Sequence, residues 1–464
     1  ASAIYTYRER GTEDMKETQN FTKGNILTSL VRFALPVLAA LFLQTMYGAV
    51  DMLVVGQFAT AADVSAVSTG SWLMQLITSF VVGIAMGTTV LLGRRLGEGK
   101  PEEAGKIIGA SIVLFAIIGV VITFFMELCA VPVAQIMRTP IEAFDATVLY
   151  VRICSAGSVF IVAYNVLGSI FRGIGDSRMP LVTVAIACVF NIAGDFLLVG
   201  VFGMATAGAA IATVLAQALS VIISVLIIRR QKLPFTFRRT DIVFDRKRMG
   251  SVFRLGLPIA FQDLLVSISF LAITAIVNSL GVIPSAGVGV AEKLCGFIML
   301  VPSAFNQSMS AFVAQNMGAG RMERAKRALL CGIGMSLVVG VFMAWLSFFH
   351  GDLLAGLFAR DEAVIAAAAD YLKAYAIDCL LVSVMFCMIG YFNGYGKTLF
   401  VMLQGIAGAF GVRIPVSLIM SKIKPVSLFK VGLATPCSSV VQIILCVGYF
   451  LLLSRRKPKK EAEE

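Results

Sequence analysis

Between Leu27 and Leu453 the sequence is a succession of apolar runs, each about 20 residues or longer and nearly free of charge. A run of that length crosses roughly 30 Å of hydrocarbon as an α-helix. Twelve can be counted, over 27–57, 65–93, 107–135, 147–171, 180–202, 205–228, 252–281, 286–316, 328–350, 367–392, 399–420 and 431–454. Composition agrees, with 58% of residues hydrophobic and only 14% charged. Backbone polar groups find no water in hydrocarbon, so a spanning chain is either helical or a closed barrel. The strand-type alternation of a barrel is missing, and the expected fold is an all-α polytopic membrane protein with twelve transmembrane helices.

Basic residues orient such a chain. With both termini in the cytoplasm, most of the 39 Lys and Arg fall in the tails and in the loops after even-numbered helices, as the positive-inside rule requires. The densest basic segment, RRQKLPFTFRRTDIVFDRKRMG from Arg229 to Gly250, then joins helices six and seven on the cytoplasmic side. It reads as a topology-setting linker rather than a patch for anionic lipid or nucleic acid. The net charge of +12 follows from the same bias, and no nucleic-acid partner is expected. The expected divisions are an N-terminal cytoplasmic tail (1–24), a first lobe (25–228), the linker (229–250), a second lobe (251–454) and a C-terminal cytoplasmic tail (455–464). The leading tail is polar and lacks the apolar stretch of a cleaved signal peptide.

Enzymatic chemistry has little to build on. The nine cysteines are scattered singly with no C-x-x-C pair, and the one histidine, His350, falls at the end of helix nine. GYGKT (Gly394 to Thr398) resembles the end of a phosphate-binding loop, but Tyr391 stands where the leading glycine would fall. Neither an enzyme nor a cofactor is expected.

The chain also repeats itself. RFALP (Arg32 to Pro36) returns as RLGLP (Arg254 to Pro258), 222 residues later. LGEGKPEEAGK (Leu96 to Lys106) returns as MGAGRMERAKR (Met317 to Arg327), and FRGIGDS (Phe171 to Ser177) as FNGYGKT (Phe392 to Thr398), both 221 residues on. Three blocks in one order at one offset indicate a duplication of a six-helix unit. Six spans return the chain to its starting side, so the repeat is parallel and suits two bundles rocking about a central cavity.

Ionisable groups at membrane depth commonly cost about 3 kcal/mol, so each needs a cause. Asp51 lies seven residues from Phe58, at the outer end of helix one, and Asp195 lies eight from Gly203, at the outer end of helix five. Both therefore sit roughly 10–12 Å below the outer surface. Asn191 shares a helix face with Asp195, Thr213 on helix six reaches the same level, and Tyr150 could supply a phenol above them. Two carboxylates, a carboxamide and a hydroxyl suit Na⁺, and a close carboxylate pair can equally share a proton. Either use makes a coupling-ion site. The duplication supplies a control, because the matching places in the second half hold Ile273, Val412 and Val416, whereas Tyr150 is matched by Tyr371.

The remaining acids read differently. Asp263 and Asp378, on helices seven and ten, lie at different depths and are expected either to face a cationic substrate or to pair with Arg254, Lys293 or Arg413. Glu127 is expected to be solvated near the outer end of helix three. Glu292 is expected to form an interfacial pair with its neighbour Lys293.

Taken together and in order, YGAVDMLVVGQF, LGEGKPEEA, FRGIGDSRMP and NIAGDF resemble bacterial multidrug and toxic compound extrusion (MATE) transporters, along nearly the whole chain. The resemblance implies two six-helix bundles around a V-shaped cavity in the bacterial cytoplasmic (inner) membrane, with both termini cytoplasmic and a monomer as the working unit. It implies export of organic cations or other amphipathic compounds in exchange for Na⁺ or H⁺. Asp51, Tyr150, Asn191, Asp195 and Thr213 match the ion site of the DinF-type branch, and Gln44 is expected to line the same chamber. The NorM-type branch carries a Glu about eight residues after the helix-seven proline; here Asp263 follows Pro258 by five, and Val266 holds that place. Two other readings remain at this stage, a lipid-linked oligosaccharide flippase of the same superfamily and a nontransporting membrane receptor or scaffold.

Overall fold

The computed structural model describes residues 20–230, 235 and 237–455. Most of the expected tails, and residues 231–234 and 236 of the linker, therefore lie outside the described residues. Among those described, all regular structure is helical. In chain order the helices are α1 (Ile26–Phe58), α2 (Ala61–Gly97), α3 (Pro101–Ile136), α4 (Ile141–Ala156 with Ser158–Ile174), α5 (Arg178–Val201) and α6 (Ala205–Arg230). The second half supplies α7 (Arg246–Asn278), α8 (Val282–Gly318), α9 (Met322–Phe349), α10 (Glu362–Gly394), α11 (Thr398–Lys422) and α12 (Leu428–Arg455). Eleven are long and apolar enough to cross a membrane singly, and the bent α4 makes a twelfth.

Helix starts follow local chemistry. Asn25 caps α1 by accepting from the backbone of Leu27 and Thr28, Thr60 and Asp63 form a reciprocal capping box on α2, and Asp361 caps α10. Two expectations need correction. The span expected at 147–171 runs from Ile141 to Ile174, because Glu142 and Asp145 in its first turns masked its start, and it bends by 56°. The break falls at Gly157, where a Cβ would meet a Val214 methyl at 2.4 Å, so the bend lets α6 pack closely. Glu292 lies ten residues inside α8, accepting from Thr274 Oγ1 at 3.1 Å instead of forming the expected interfacial pair with Lys293.

The duplication is visible in the helices themselves. Starts at Ile26, Ala61, Pro101, Ile141, Arg178 and Ala205 recur at Arg246, Val282, Met322, Glu362, Thr398 and Leu428. An even number of spans leaves both ends of the described chain at one face, here termed the terminal face. Buried side chains from the two halves mix only towards that face. Leu30, Phe33 and Val37 of α1 pack with Phe305, Met309 and Phe312 of α8. Ile84 and Ala85 of α2 likewise pack with Val252 and Ala260 of α7. Towards the opposite face each half keeps its own core, around Val54, Val67 and Tyr150 in one and Ile273, Leu294 and Tyr371 in the other. The halves thus close at the terminal face and part towards the opposite one.

Glycines permit that closure. A Cβ on Gly83 would meet Ala260 Cα at 2.5 Å, and one on Gly256 would meet the Ile84 carbonyl at 2.2 Å. At the terminal ends, Gly97 lies against the Gln315 carbonyl and Gly318 against the Arg94 carbonyl, and a Cβ would fall 2.0 Å from the oxygen in either case. Gly318 stands 221 positions after Gly97 and Gln315 stands 221 after Arg94, so the two contacts exchange on the repeat and α2 and α8 cross about a pseudo-twofold axis. Small residues are the usual means of bringing membrane helices this close.

Candidate functional site

Three helices of the first half bring the expected oxygen ligands together. α1 carries Asp51, α5 carries Asn191 and Asp195, and α6 carries Thr213; Gly194 against Ala212 lets α5 and α6 approach. Asn191 Nδ2 donates to Asp51 Oδ1 at 3.2 Å and lies 3.4 Å from Thr213 Oγ1, which donates to Asp51 Oδ2 at 3.4 Å. The carboxyl groups of Asp51 and Asp195 lie within hydrogen-bonding reach of each other. All three acidic and amide side chains are buried, at 5% exposure for Asp51, 2% for Asn191 and 0% for Asp195. Both Asp195 oxygens and Asn191 Oδ1 receive no hydrogen bond among the described residues. Asp195 ends the regular part of α5, which continues as a π-helical turn over Phe196–Val201. Such turns recur at functional sites because they re-aim side chains off the ordinary ladder.

Neither aspartate forms an ion pair with Lys, Arg or His among the described residues. Two unit charges 4 Å apart repel by about 4 kcal/mol even at an effective dielectric constant of 20. A proton shared across the pair or a cation between its oxygens relieves that repulsion.

Tyr150 is buried beside this group, but its hydroxyl lies 3.0 Å from Ser71 Oγ and so ties α4 to α2. Two residues escaped the sequence reading. Tyr47 stands one helical turn before Asp51, and Gln217, one turn after Thr213, lies close enough to act on its phenol. The i,i+4 rule that joined Asn191 to Asp195 would have found both. Gln44, a further turn along α1, lines a cavity between the halves with Tyr164, Asn165, Arg172 and Gln307.

The second half is built on other chemistry. Asp378 is fully buried and accepts from Ser439 Oγ at 2.6 Å, while its other oxygen has no donor. Arg413 lies near enough to act on it electrostatically, but spends its contacts on Ser269 Oγ at 3.0 Å and the Phe270 ring at 4.4 Å. Asp263 is exposed at mid-helix on α7, and no side-chain hydrogen bond or ion pair of it is seen among the described residues. The structure does not bring Asp263 and Asp378 together with the Asp51 group. Glu127, near the opposite-face end of α3, lies 3.8 Å from Arg152 Nε.

Comparison with known proteins gives one consistent result. The MatE family model matches twice, over residues 36–197 and 258–419. "Probable multidrug resistance protein YoeA" of Bacillus subtilis is 26% identical over 447 residues, covering 95% of this chain and 96% of its own length. "Multidrug export protein MepA" of Staphylococcus aureus is 23% identical over 88% of this chain and 90% of its own. Among solved structures, a multidrug resistance MATE family transporter in an outward-facing conformation superposes with a TM-score of 0.88 at 20% identity, over 96% of this chain and 100% of that one. A MOP superfamily transporter from Pyrococcus furiosus gives 0.88 at 20% identity, over 95% and 99%.

Proposed function

The chain belongs to the MatE family, the multidrug and toxic compound extrusion transporters, and on that premise we propose an antiporter with its coupling-ion site at Asp51 and Asp195. It exports organic cations and other amphipathic compounds across the bacterial cytoplasmic membrane in exchange for Na⁺ or H⁺. It works as a monomer with both termini in the cytoplasm. The terminal face is then the cytoplasmic one, and the described conformation opens outward. Asn191 and Thr213 complete the oxygen set around the two aspartates, as in the DinF-type branch, and Tyr150 fixes the wall beside them. Asp263, exposed at mid-span, faces the aqueous cavity, since a carboxylate there is costly against lipid.

One observation carries this reading, the contact between two buried carboxylates with no fixed positive charge beside them. A bound ion or proton joins α1 to α5 and α6. Without it, repulsion loosens that contact and favours a different packing of α1. Export follows when ion and substrate favour different orientations of the two halves, because each then shifts the equilibrium that the other reads.

Flux of a fluorescent organic cation into proteoliposomes, driven separately by a Na⁺ and a proton gradient, tests the proposal. Asp51→Asn and Asp195→Asn should each reduce gradient-driven flux to background while the proteins still reconstitute. Full ion-driven flux in both variants would overturn the site assignment, and absence of flux in the unaltered protein under either gradient would overturn the antiporter itself.

A further inference from the structure

The cavity lined by Gln44, Tyr164, Asn165, Arg172 and Gln307 has a polarity opposite to that of the aspartate pair. It has no acidic residue in its wall and draws Gln307 from the second half. Its charge is the guanidinium of Arg172. Arg172 Nη2 donates to Ser169 Oγ at 2.9 Å, but Nε has no acceptor, and the guanidinium forms no ion pair among the described residues. The Tyr164 hydroxyl, in the same wall, is buried and also without a partner.

Position in the fold does not account for this cation. Its counterpart 221 residues on is Asn393, buried in the same turn of α10, so the duplicated scaffold accepts an uncharged side chain there. Apolar Val37, Leu41 and Val184 complete the wall. A forked cation, a free hydroxyl and neutral amides over an apolar wall match a planar anion attached to a hydrophobic body.

We propose that this cavity is a subsite for the carboxylate of an amphipathic substrate, held by Arg172 with Tyr164 as a second donor. The proposal rests on the export reading above and narrows it: compounds bearing a carboxylate beside their cationic group are preferred to the corresponding esters. Gln44 lies seven residues from Asp51, so the subsite sits about 10 Å along α1 from the coupling pair, towards the terminal face. The same substrate carboxylate is thereby kept apart from Asp51 and Asp195, which would repel it. A site built to bond a polar group discriminates strongly against an analogue that lacks it, because the site's own donors are then left unpaired.

The test uses the purified full chain in lipid nanodiscs and two probes, a xanthylium dye with a free benzoate and the methyl ester of the same dye, followed by fluorescence anisotropy. The unaltered protein should bind the acid at least about tenfold more tightly than the ester. Arg172→Gln should abolish that preference while ester affinity stays within about twofold, Arg172→Lys should keep part of it, and Tyr164→Phe should reduce it about threefold. Equal binding of acid and ester by the unaltered protein overturns the proposal whether or not any variant folds. So does an Arg172→Gln protein that loses both dyes equally, since the residue would then act through packing alone. Gradient-driven flux of the ester separates the two readings. Ester flux without acid preference removes the subsite and leaves export standing, whereas acid preference without flux of either dye removes export and leaves the subsite.

Discussion

Gly97→Ala should shift the molecule away from the conformation described here. The added Cβ would lie 2.0 Å from the Gln315 carbonyl oxygen, where real Cβ contacts essentially never fall below 3.0 Å. The obstruction is backbone on α8, so no side chain can swing aside, and α2 and α8 must part by at least the 1.0 Å difference between those distances. Overpacking of this kind costs about 1–3 kcal/mol. The cost falls only on the state in which the halves meet at the terminal face, so the equilibrium between orientations should move by roughly 5–150-fold. Spin labels at Glu102→Cys and Glu323→Cys, exposed positions 221 residues apart at that face, would report the change after native cysteines are replaced. The short-distance population should fall in Gly97→Ala and equally in Gly318→Ala. The double variant should cost less than the sum, because both substitutions relieve themselves by the same separation. Gly48→Ala is the control, since a Cβ there meets nothing within 4 Å. An unchanged distance distribution in a folded Gly97→Ala protein, or opposite shifts in the two single variants, would refute the reasoning.

Other substitutions probe the surroundings. Tyr150→Phe should lower thermal stability by about 1 kcal/mol through loss of the bond to Ser71 yet keep ion-driven flux, and a loss of flux with stability intact would make the phenol part of the ion site. Phe21 is fully buried between Phe33 and Phe312, with ring centroids at 5.0 and 5.1 Å, and Arg324 holds the carbonyls of Phe21, Lys23 and Gly24. Phe21→Ala should therefore free this strap from α8 and α9, raising amide hydrogen exchange over residues 20–24 by an order of magnitude or more. Unaltered exchange would mean that the hydrogen bonds with Gln315, Asn316, Arg321 and Arg324 hold it without the ring.

How far the sequence revealed the molecule depended on the length scale of each feature. Transmembrane helices follow from runs of apolar residues, and the duplication from blocks at a fixed offset, so both were legible. Asp51 and Asp195 stood out because hydrocarbon makes a carboxylate conspicuous. Where charge and helix overlapped, the same contrast misled: Glu142 and Asp145 hid the start of α4, and Lys293 drew Glu292 to an interface it does not occupy. Contacts between helices distant in sequence left no pattern to read. Nothing in the chain announces that Tyr150 bonds Ser71 or that Gly97 meets Gln315. The duplicated Phe171–Ser177 block set Arg172 opposite Asn393, but the absence of an acidic partner among the described residues required three dimensions.

The two halves divide the work between what they share and what they do not. Gly97 with Gly318 and Pro36 with Pro258 are preserved across the duplication, and they lie in the helices that close the terminal face. Asp51, Asp195 and Arg172 are opposed by Ile273, Val416 and Asn393, so the charges belong to the first half alone. With the proposed ion site in the first half alone, a symmetric closure needs a mechanical link. α1 supplies it: Asp51 lies towards one end, while Leu30, Phe33 and Val37 at the other pack against Phe305, Met309 and Phe312 of the second half. Within that packed end Pro36 deprives the helix of one ladder hydrogen bond, where a change of axis costs least. Repacking around Asp51 therefore reaches the second half through α1 itself, and the second half needs no acid pair of its own to respond.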